Sequence, residues 1–138
     1  MLFIGANLLI VFAALTSLFA FLKGGTPERI GAAIVMANTL AYMVSEALFH
    51  NQLVNLGIDG LTALVLLAVA VRYASFWQGA VMLLYAMQFG LHAVYFVLER
   101  PRDNFHVIVN NGIFYAVCAC LAAGTALAWR RRGQAATN

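Results

Sequence analysis

Apolar residues follow one another in five long runs, at residues 2–22, 30–49, 57–71, 78–98 and 105–129. A helix rises about 1.5 Å per residue, so a run of about 20 residues is long enough to cross the hydrocarbon core of a bilayer. The breaks between the runs are polar and contain glycine, proline or charged residues, which end helices. The pattern predicts an all-α membrane protein, built as one bundle of five transmembrane helices with a short mobile tail at 133–138. Because the third run is short, a four-helix bundle with a re-entrant third segment is the alternative.

The fourth run is two-sided, with a polar stripe on an otherwise apolar helix. At about 100° per residue, one arc of roughly 100° holds its polar side chains. Those residues are Gln78, Tyr85, Gln88, His92, Tyr95 and Glu99. Hydrocarbon offers no hydrogen bonds to such groups. We therefore expect the stripe to face the interior of the bundle, where other helices supply partners.

The second run also has a polar side, and it includes Asn38, Tyr42 and Glu46. Glu46 is the only carboxylate that lies well inside an apolar run at a depth comparable to that of His92. Pairing reduces the cost of holding either group in the membrane, so we predict a contact between Glu46 and His92. Asp59, near the start of the third run, is interpreted as a helix-start residue stabilised by the helix dipole.

Small residues recur every four positions on two of the predicted helices. Such a pattern allows another helix to approach closely, and both sets are expected in helix contacts. The first set is Ala33, Ala37 and Ala41, and the second is Ala116, Cys120 and Gly124.

The composition supports a membrane location and excludes one class of partner. Hydrophobic residues make up 64% of the chain and charged residues 9%, whereas a soluble domain has about 25% charged residues. The net charge of +3 arises from Lys and Arg in loops and in the tail, without a basic stripe interleaved with exposed aromatics. The expected surroundings are therefore the lipid bilayer and other membrane subunits or a second copy, and no nucleic acid.

The positive charges predict an orientation. With five spans, Lys23, Arg29, Arg72 and 130–132 share one side, while Arg100 and Arg102 lie opposite. The positive-inside rule makes the richer side cytoplasmic, which puts the N-terminus outside and the C-terminus inside, in what we expect to be a bacterial inner membrane. This orientation gathers most acidic residues and all histidines in the outer half. They are Glu46, His50, Asp59, His92, Glu99, Asp103 and His106.

Three functions are compatible with these features. The first is a non-catalytic accessory or binding subunit of a membrane assembly, in which the cluster of Glu46, His92, Tyr42, Tyr85, Gln88 and Asn38 is a polar network. The second is a proton-linked or small-solute transport protein that uses Glu46 and His92. The third is a metal- or haem-binding membrane protein that uses His50, His92 and His106, supported by Asp59.

The sequence assigns no cofactor and no catalytic residue. It contains no phosphate-binding GxxxxGK[ST] loop, no GxGxxG motif after a strand, no GxSxG elbow and no HExxH motif. Lys23 is the only lysine and lies in a loop, which excludes a buried Schiff base. A non-enzymatic role is therefore favoured.

Overall fold

A computed structural model describes residues 2–49, 51–74 and 76–135, with side chains from Leu8 onward. The described chain is all-helical and consists of five α-helices. They are α1 (Leu2–Lys23), α2 (Thr26–Leu48), α3 (Gln52–Tyr73), α4 (Phe76–Val97) and α5 (Asn104–Ala135). Four of them, α2 to α5, are long and apolar enough to cross a membrane, and the described side chains of α1, Leu8–Lys23, form a shorter apolar helix.

Two helices begin earlier than the apolar pattern predicts, because polar residues cap them. The backbone N–H of Gly25 donates to Glu28 Oε2 at 2.8 Å, and α2 begins at Thr26. The side chain of Asn51 accepts from the backbone N–H of Leu53 at 2.8 Å, and α3 begins at Gln52. The third helix is therefore 22 residues long, and the argument from length for a re-entrant third segment is wrong.

The ends of α4 and α5 also differ from the expected ones. Helix α4 ends at Val97, and Glu99 follows in the left-handed region with φ of 49°. Glu99 is thus exposed and does not belong to the polar stripe. Helix α5 continues to Ala135, so residues 133–135 of the expected tail are helical, while residues 136–138 lie outside the described residues.

The helices form a closed ring in the order of the chain. Each helix packs against its neighbours in sequence, and α5 packs against α1. The α1–α5 contact includes the rings of Phe12 and Tyr115, at a centroid distance of 5.6 Å. We call the two ends of the ring the Trp77 end, where α2 and α4 begin, and the Asp103 end, where α3 and α5 begin.

The ring is apolar outside and largely polar inside. Leucine, valine and phenylalanine side chains are exposed along every helix, whereas many polar side chains are buried. On α4 the buried residues are Gln78, Val81, Tyr85, Gln88, His92 and Tyr95. The expectation that the polar stripe faces the interior is confirmed for all its members except Glu99. This distribution reverses that of a soluble protein and suits a bilayer.

Aliphatic side chains fill the interior toward the Trp77 end. Val35, Leu66, Val81, Val117 and Leu121 are buried there and belong to one core cluster. Each of the four helices α2 to α5 contributes to this apolar layer. It separates the polar groups of the Asp103 half from those of the Trp77 end.

The first small-residue set does not lie in a helix contact. Ala33 and Ala37 are exposed, and Ala41 is half-buried. The inward face of α2 is instead defined by Ala32, Val35, Asn38 and Ser45, which follow the ordinary three–four spacing of a buried helix face. The expectation that Ala33–Ala37–Ala41 form an internal seam is therefore wrong.

In the second set, Gly124 makes room for an aromatic side chain from another helix. A Cβ atom on Gly124 would lie 2.6 Å from the Trp77 indole, and one on Gly31 would lie 2.7 Å from it. The Trp77 Nε1–H donates to Glu28 Oε1 at 3.2 Å, which fixes the indole between α2 and α5.

We expect Gly124→Ala to lower the free energy of unfolding by about 1–3 kcal/mol, because the methyl group overpacks against Trp77. The matched control is Gly112→Ala on the same helix, where a Cβ has open space. There the better helix propensity of alanine should leave stability unchanged or raise it by up to about 1 kcal/mol. Thermal unfolding in detergent compares the two, and equal effects would contradict the packing at Trp77.

Candidate functional site

The centre of the polar interior is a pair formed by Asp59 of α3 and His92 of α4. Their side chains are 1% and 4% exposed, and His92 Nε2 lies 3.5 Å from Asp59 Oδ2. Gln88 Nε2 donates to Asp59 Oδ1 at 3.4 Å, and His92 Nε2 lies 3.0 Å from Asn110 Oδ1. Three helices thus supply one buried group of hydrogen-bonding side chains around a carboxyl and an imidazole.

The predicted contact between Glu46 and His92 is wrong, and the ring order explains why. Helix α3 lies between α2 and α4, so α3 and not α2 faces the stripe of α4. Asp59 lies two turns inside α3, where it is buried, and the interpretation as a helix-start residue is wrong as well.

Glu46 has partners of its own at the Asp103 end. Its carboxylate accepts from Arg102 Nη1 at 2.8 Å and from Asn55 Nδ2 at 2.8 Å. Asn55 Oδ1 accepts in turn from the Ser45 hydroxyl at 2.6 Å. Glu46 is 30% exposed, so this ion pair lies in a less desolvated place than the Asp59–His92 pair.

A row of proton-carrying side chains connects His92 to the loop before α5. The ring of His106 contacts the ring of His92 at a centroid distance of 4.9 Å and that of Tyr95 at 4.7 Å. The Tyr95 hydroxyl donates to Asp103 Oδ1 at 2.7 Å. Asp103 is 34% exposed and also pairs with Arg100 at 2.9 Å. The row therefore begins in the buried interior and ends at a partly exposed carboxylate.

Asp103 also starts the last helix. Its Oδ1 accepts from the backbone N–H of His106 at 2.9 Å, which is the hydrogen bond of a helix N-cap. This backbone N–H and the Tyr95 hydroxyl lower the pKa of the Asp103 carboxyl below its ordinary value of 3.8. The end of the row is therefore held as a carboxylate at neutral pH.

The remaining predicted polar residues divide between two places. Asn38, Tyr42, Glu46 and Gln88 line a cleft between α1, α2 and α5, and Asn38 Nδ2 also donates to Thr62 Oγ1 at 2.9 Å. Tyr85 lies apart from them in the apolar core cluster, and its hydroxyl has no partner among the described residues.

The proposed three-histidine metal or haem site is not assembled by the described side chains. His50 lies outside the described residues. His92 and His106 meet ring to ring, but the part of the chain that is described contains no group of three or more His, Cys, Asp or Glu side chains suited to a metal ion. Asp59 contacts His92 directly instead of supporting a histidine set.

Several partners of the site were not singled out from the sequence. Asn110, Asn55 and Thr62 are uncharged, and nothing in a single sequence distinguishes them from ordinary polar residues of a membrane helix. One signal was available on α5, where His106, Asn110 and Ile113 have the three–four spacing of one helix face.

Comparison of the chain with family models, with curated proteins and with solved structures gives no match. The groups present can hold a proton, exchange hydrogen bonds and bind an uncharged polar molecule.

Proposed function

We propose that this chain is a proton-linked protein of the bacterial inner membrane, and that Asp59 and His92 form its proton-binding pair. The observation that carries the proposal is the 3.5 Å contact between a carboxyl and an imidazole that are both almost completely buried. It replaces the proton-linked function through Glu46 and His92 that the sequence suggested.

Because the pair is buried, the number of protons that it binds has a large effect on its free energy. With one proton shared between them, the two groups are neutral overall, either as an ion pair or as two uncharged side chains. Removing that proton leaves a net negative charge in the interior, and adding another leaves a positive one, and both are costly without water. Proton release is therefore coupled to a second event that restores neutrality, such as the arrival of another proton.

The surroundings of the pair supply a route on one side only. Toward the Asp103 end, the ring of His106 contacts the rings of His92 and Tyr95 at centroid distances of 4.9 and 4.7 Å, and the Tyr95 hydroxyl donates to Asp103. Toward the Trp77 end, the core cluster is aliphatic except for Tyr85 and Cys118, and the Tyr85 hydroxyl has no hydrogen-bond partner among the described residues, so no hydrogen-bonded row continues from it. Among the described residues, the groups around the pair are Asn38, Tyr42, Tyr85, Gln88, His106 and Asn110.

The predicted topology indicates the side of the membrane with which the pair exchanges protons. Five spans with the N-terminus outside and the C-terminus inside place the Asp103 end at the outer surface. In this orientation the pair exchanges protons with the outer side of the membrane, while the apolar layer faces the cytoplasm. Proton uptake from outside is then the first step of the proposed function.

A role as an accessory subunit, or self-association, stays a prediction. The surface feature that favours it is the exposed position of Ala33 and Ala37, since small residues on an outward face allow close approach of another helix. A proton-binding pair is compatible with either arrangement.

The topology predicts which single cysteines react with a membrane-impermeant reagent added to intact cells. In a background without Cys118 and Cys120, cysteine at Gln52 or Arg102 should be labelled from outside. Cysteine at Arg29 should be labelled only after permeabilisation. Labelling of Gln52 and Arg29 positions from the same side would contradict the proposed topology.

The proton-binding pair is tested by ¹⁵N NMR of histidine-labelled protein in lipid bilayers between about pH 4 and pH 9. The chain has three histidines, so His106→Gln and His92→Gln assign the signals. We expect the His92 ring nitrogens to give the signals of an imidazole hydrogen-bonded to a carboxyl, and Asp59→Asn to shift those signals. Glu99→Gln, at an exposed position, is the matched control and should have no effect. His92 nitrogen signals that are the same in the wild type and in Asp59→Asn would contradict the proton-binding pair.

A further inference from the structure

A cleft of about 440 Å³ lies between α1, α2 and α5, beside the Asp59–His92 pair. Its volume falls within the range of about 300–1,000 Å³ that is usual for small-molecule sites. The Glu46–Arg102 ion pair joins α2 to the loop before α5, and Glu46 lines the cleft. The cleft therefore belongs to the Asp103 half of the bundle, where the interior is polar.

The lining of the cleft is divided into a polar and an apolar part. Asn38, Tyr42, Gln88, Asn110 and Asn111 provide amide and hydroxyl groups, which both donate and accept hydrogen bonds. The other part is made by apolar side chains of α1, α2 and α5. These are Leu9, Ile10, Met43, Val107 and Phe114. Such a lining matches an amphipathic molecule with a polar head and an apolar body.

The side chain of Gln88 indicates that the polar head of the ligand donates a hydrogen bond. The side chain is 3% exposed, and its Nε2 already donates to Asp59. Its Oε1 is buried and has no hydrogen-bond partner among the described residues. A buried acceptor without a partner costs about 1–3 kcal/mol, so rotation of the Gln88 amide toward the cleft that it lines would gain the hydrogen bond of a ligand that donates there.

The charges of the side chains that line the cleft disfavour a ligand whose polar head is an ion. Among the described residues that line the cleft, Glu46 is the one charged side chain, and Arg102 Nη1 lies 2.8 Å from its carboxylate. A cationic or anionic ligand would therefore lose its hydration without gaining a counter-charge. Tyr42 and Phe114 place aromatic rings on two sides of the cleft, which favours a flat ring between them.

We propose that this cleft binds an uncharged amphipathic molecule from the bilayer whose head is a ring with a hydroxyl group, as in a long-chain phenol or a hydroquinone. The hydroxyl donates to Gln88 and accepts from a neighbouring amide, and the ring and chain lie against the apolar side chains of α1 and α5. The proposal does not depend on proton binding by Asp59 and His92, because it concerns the neutral lining of the cleft.

Thermal unfolding in nanodiscs tests the proposal with 4-octylphenol as the probe and 4-octylanisole as its control. The two molecules share ring and chain, but the ether cannot donate a hydrogen bond. We expect 4-octylphenol to raise the melting temperature saturably, and the ether to bind about tenfold more weakly. Equal shifts with both probes, or no saturable shift with the phenol, would overturn the proposal.

A matched pair of variants locates the binding. Asn111→Phe fills the cleft from α5, whereas Gly112→Phe adds the same side chain at the next position, where space is open. The shift caused by 4-octylphenol should disappear in Asn111→Phe and persist in Gly112→Phe. A shift that persists unchanged in Asn111→Phe would overturn the assignment of the cleft.

A second measurement does not depend on the folding of a variant. Wild-type protein in nanodiscs is photolabelled with a diazirine-bearing 4-alkylphenol, and the labelled peptides are mapped by mass spectrometry. Labels that 4-octylphenol competes away should lie on α2 around Tyr42 and on α5 around Asn111. Labels confined to the exposed apolar faces of the helices would overturn the proposal.

Discussion

Polar side chains on α4 need partners within the bundle, because hydrocarbon supplies no hydrogen bonds. Five of the six buried residues of this helix are polar or carry a hydroxyl, and Val81 is the exception. The other helices surround this stripe, and α5 closes the ring against α1. The exposed surface can then be almost entirely apolar, as a bilayer requires. The arrangement of the ring, the pair at its centre and the cleft beside it all follow from this constraint.

The sequence predicted the stripe but not its partners. Helical periodicity alone places Gln88 and His92 on one face, and a lipid environment requires that face to be internal. The choice between Glu46 and Asp59 depends on which helix lies next to α4, and a single sequence does not encode ring order in any local pattern. Asp59 was also misjudged because Asn51 begins α3 before its apolar run, which moves Asp59 into the helix interior.

The two halves of the interior have different chemical consequences. Toward the Asp103 end, a buried carboxyl–imidazole pair, a row of ionisable rings and a neutral cleft lie close together. Toward the Trp77 end, the apolar layer around Leu66 and Leu121 separates these groups from Glu28 and Gln78. An apolar layer between the two sets of polar groups favours access to the Asp59–His92 pair and to the cleft from the Asp103 end.

A double-mutant cycle tests most directly whether Asp59 is the partner of His92. The free energy of unfolding in mixed micelles is measured for Asp59→Asn, His92→Gln and the double variant, with Glu46→Gln and His92→Gln as the matched cycle. The structure predicts a coupling free energy of about 0.5–3 kcal/mol between Asp59 and His92, and a value near zero between Glu46 and His92. A larger coupling for Glu46 than for Asp59, or none for Asp59, would contradict the pair on which the account rests.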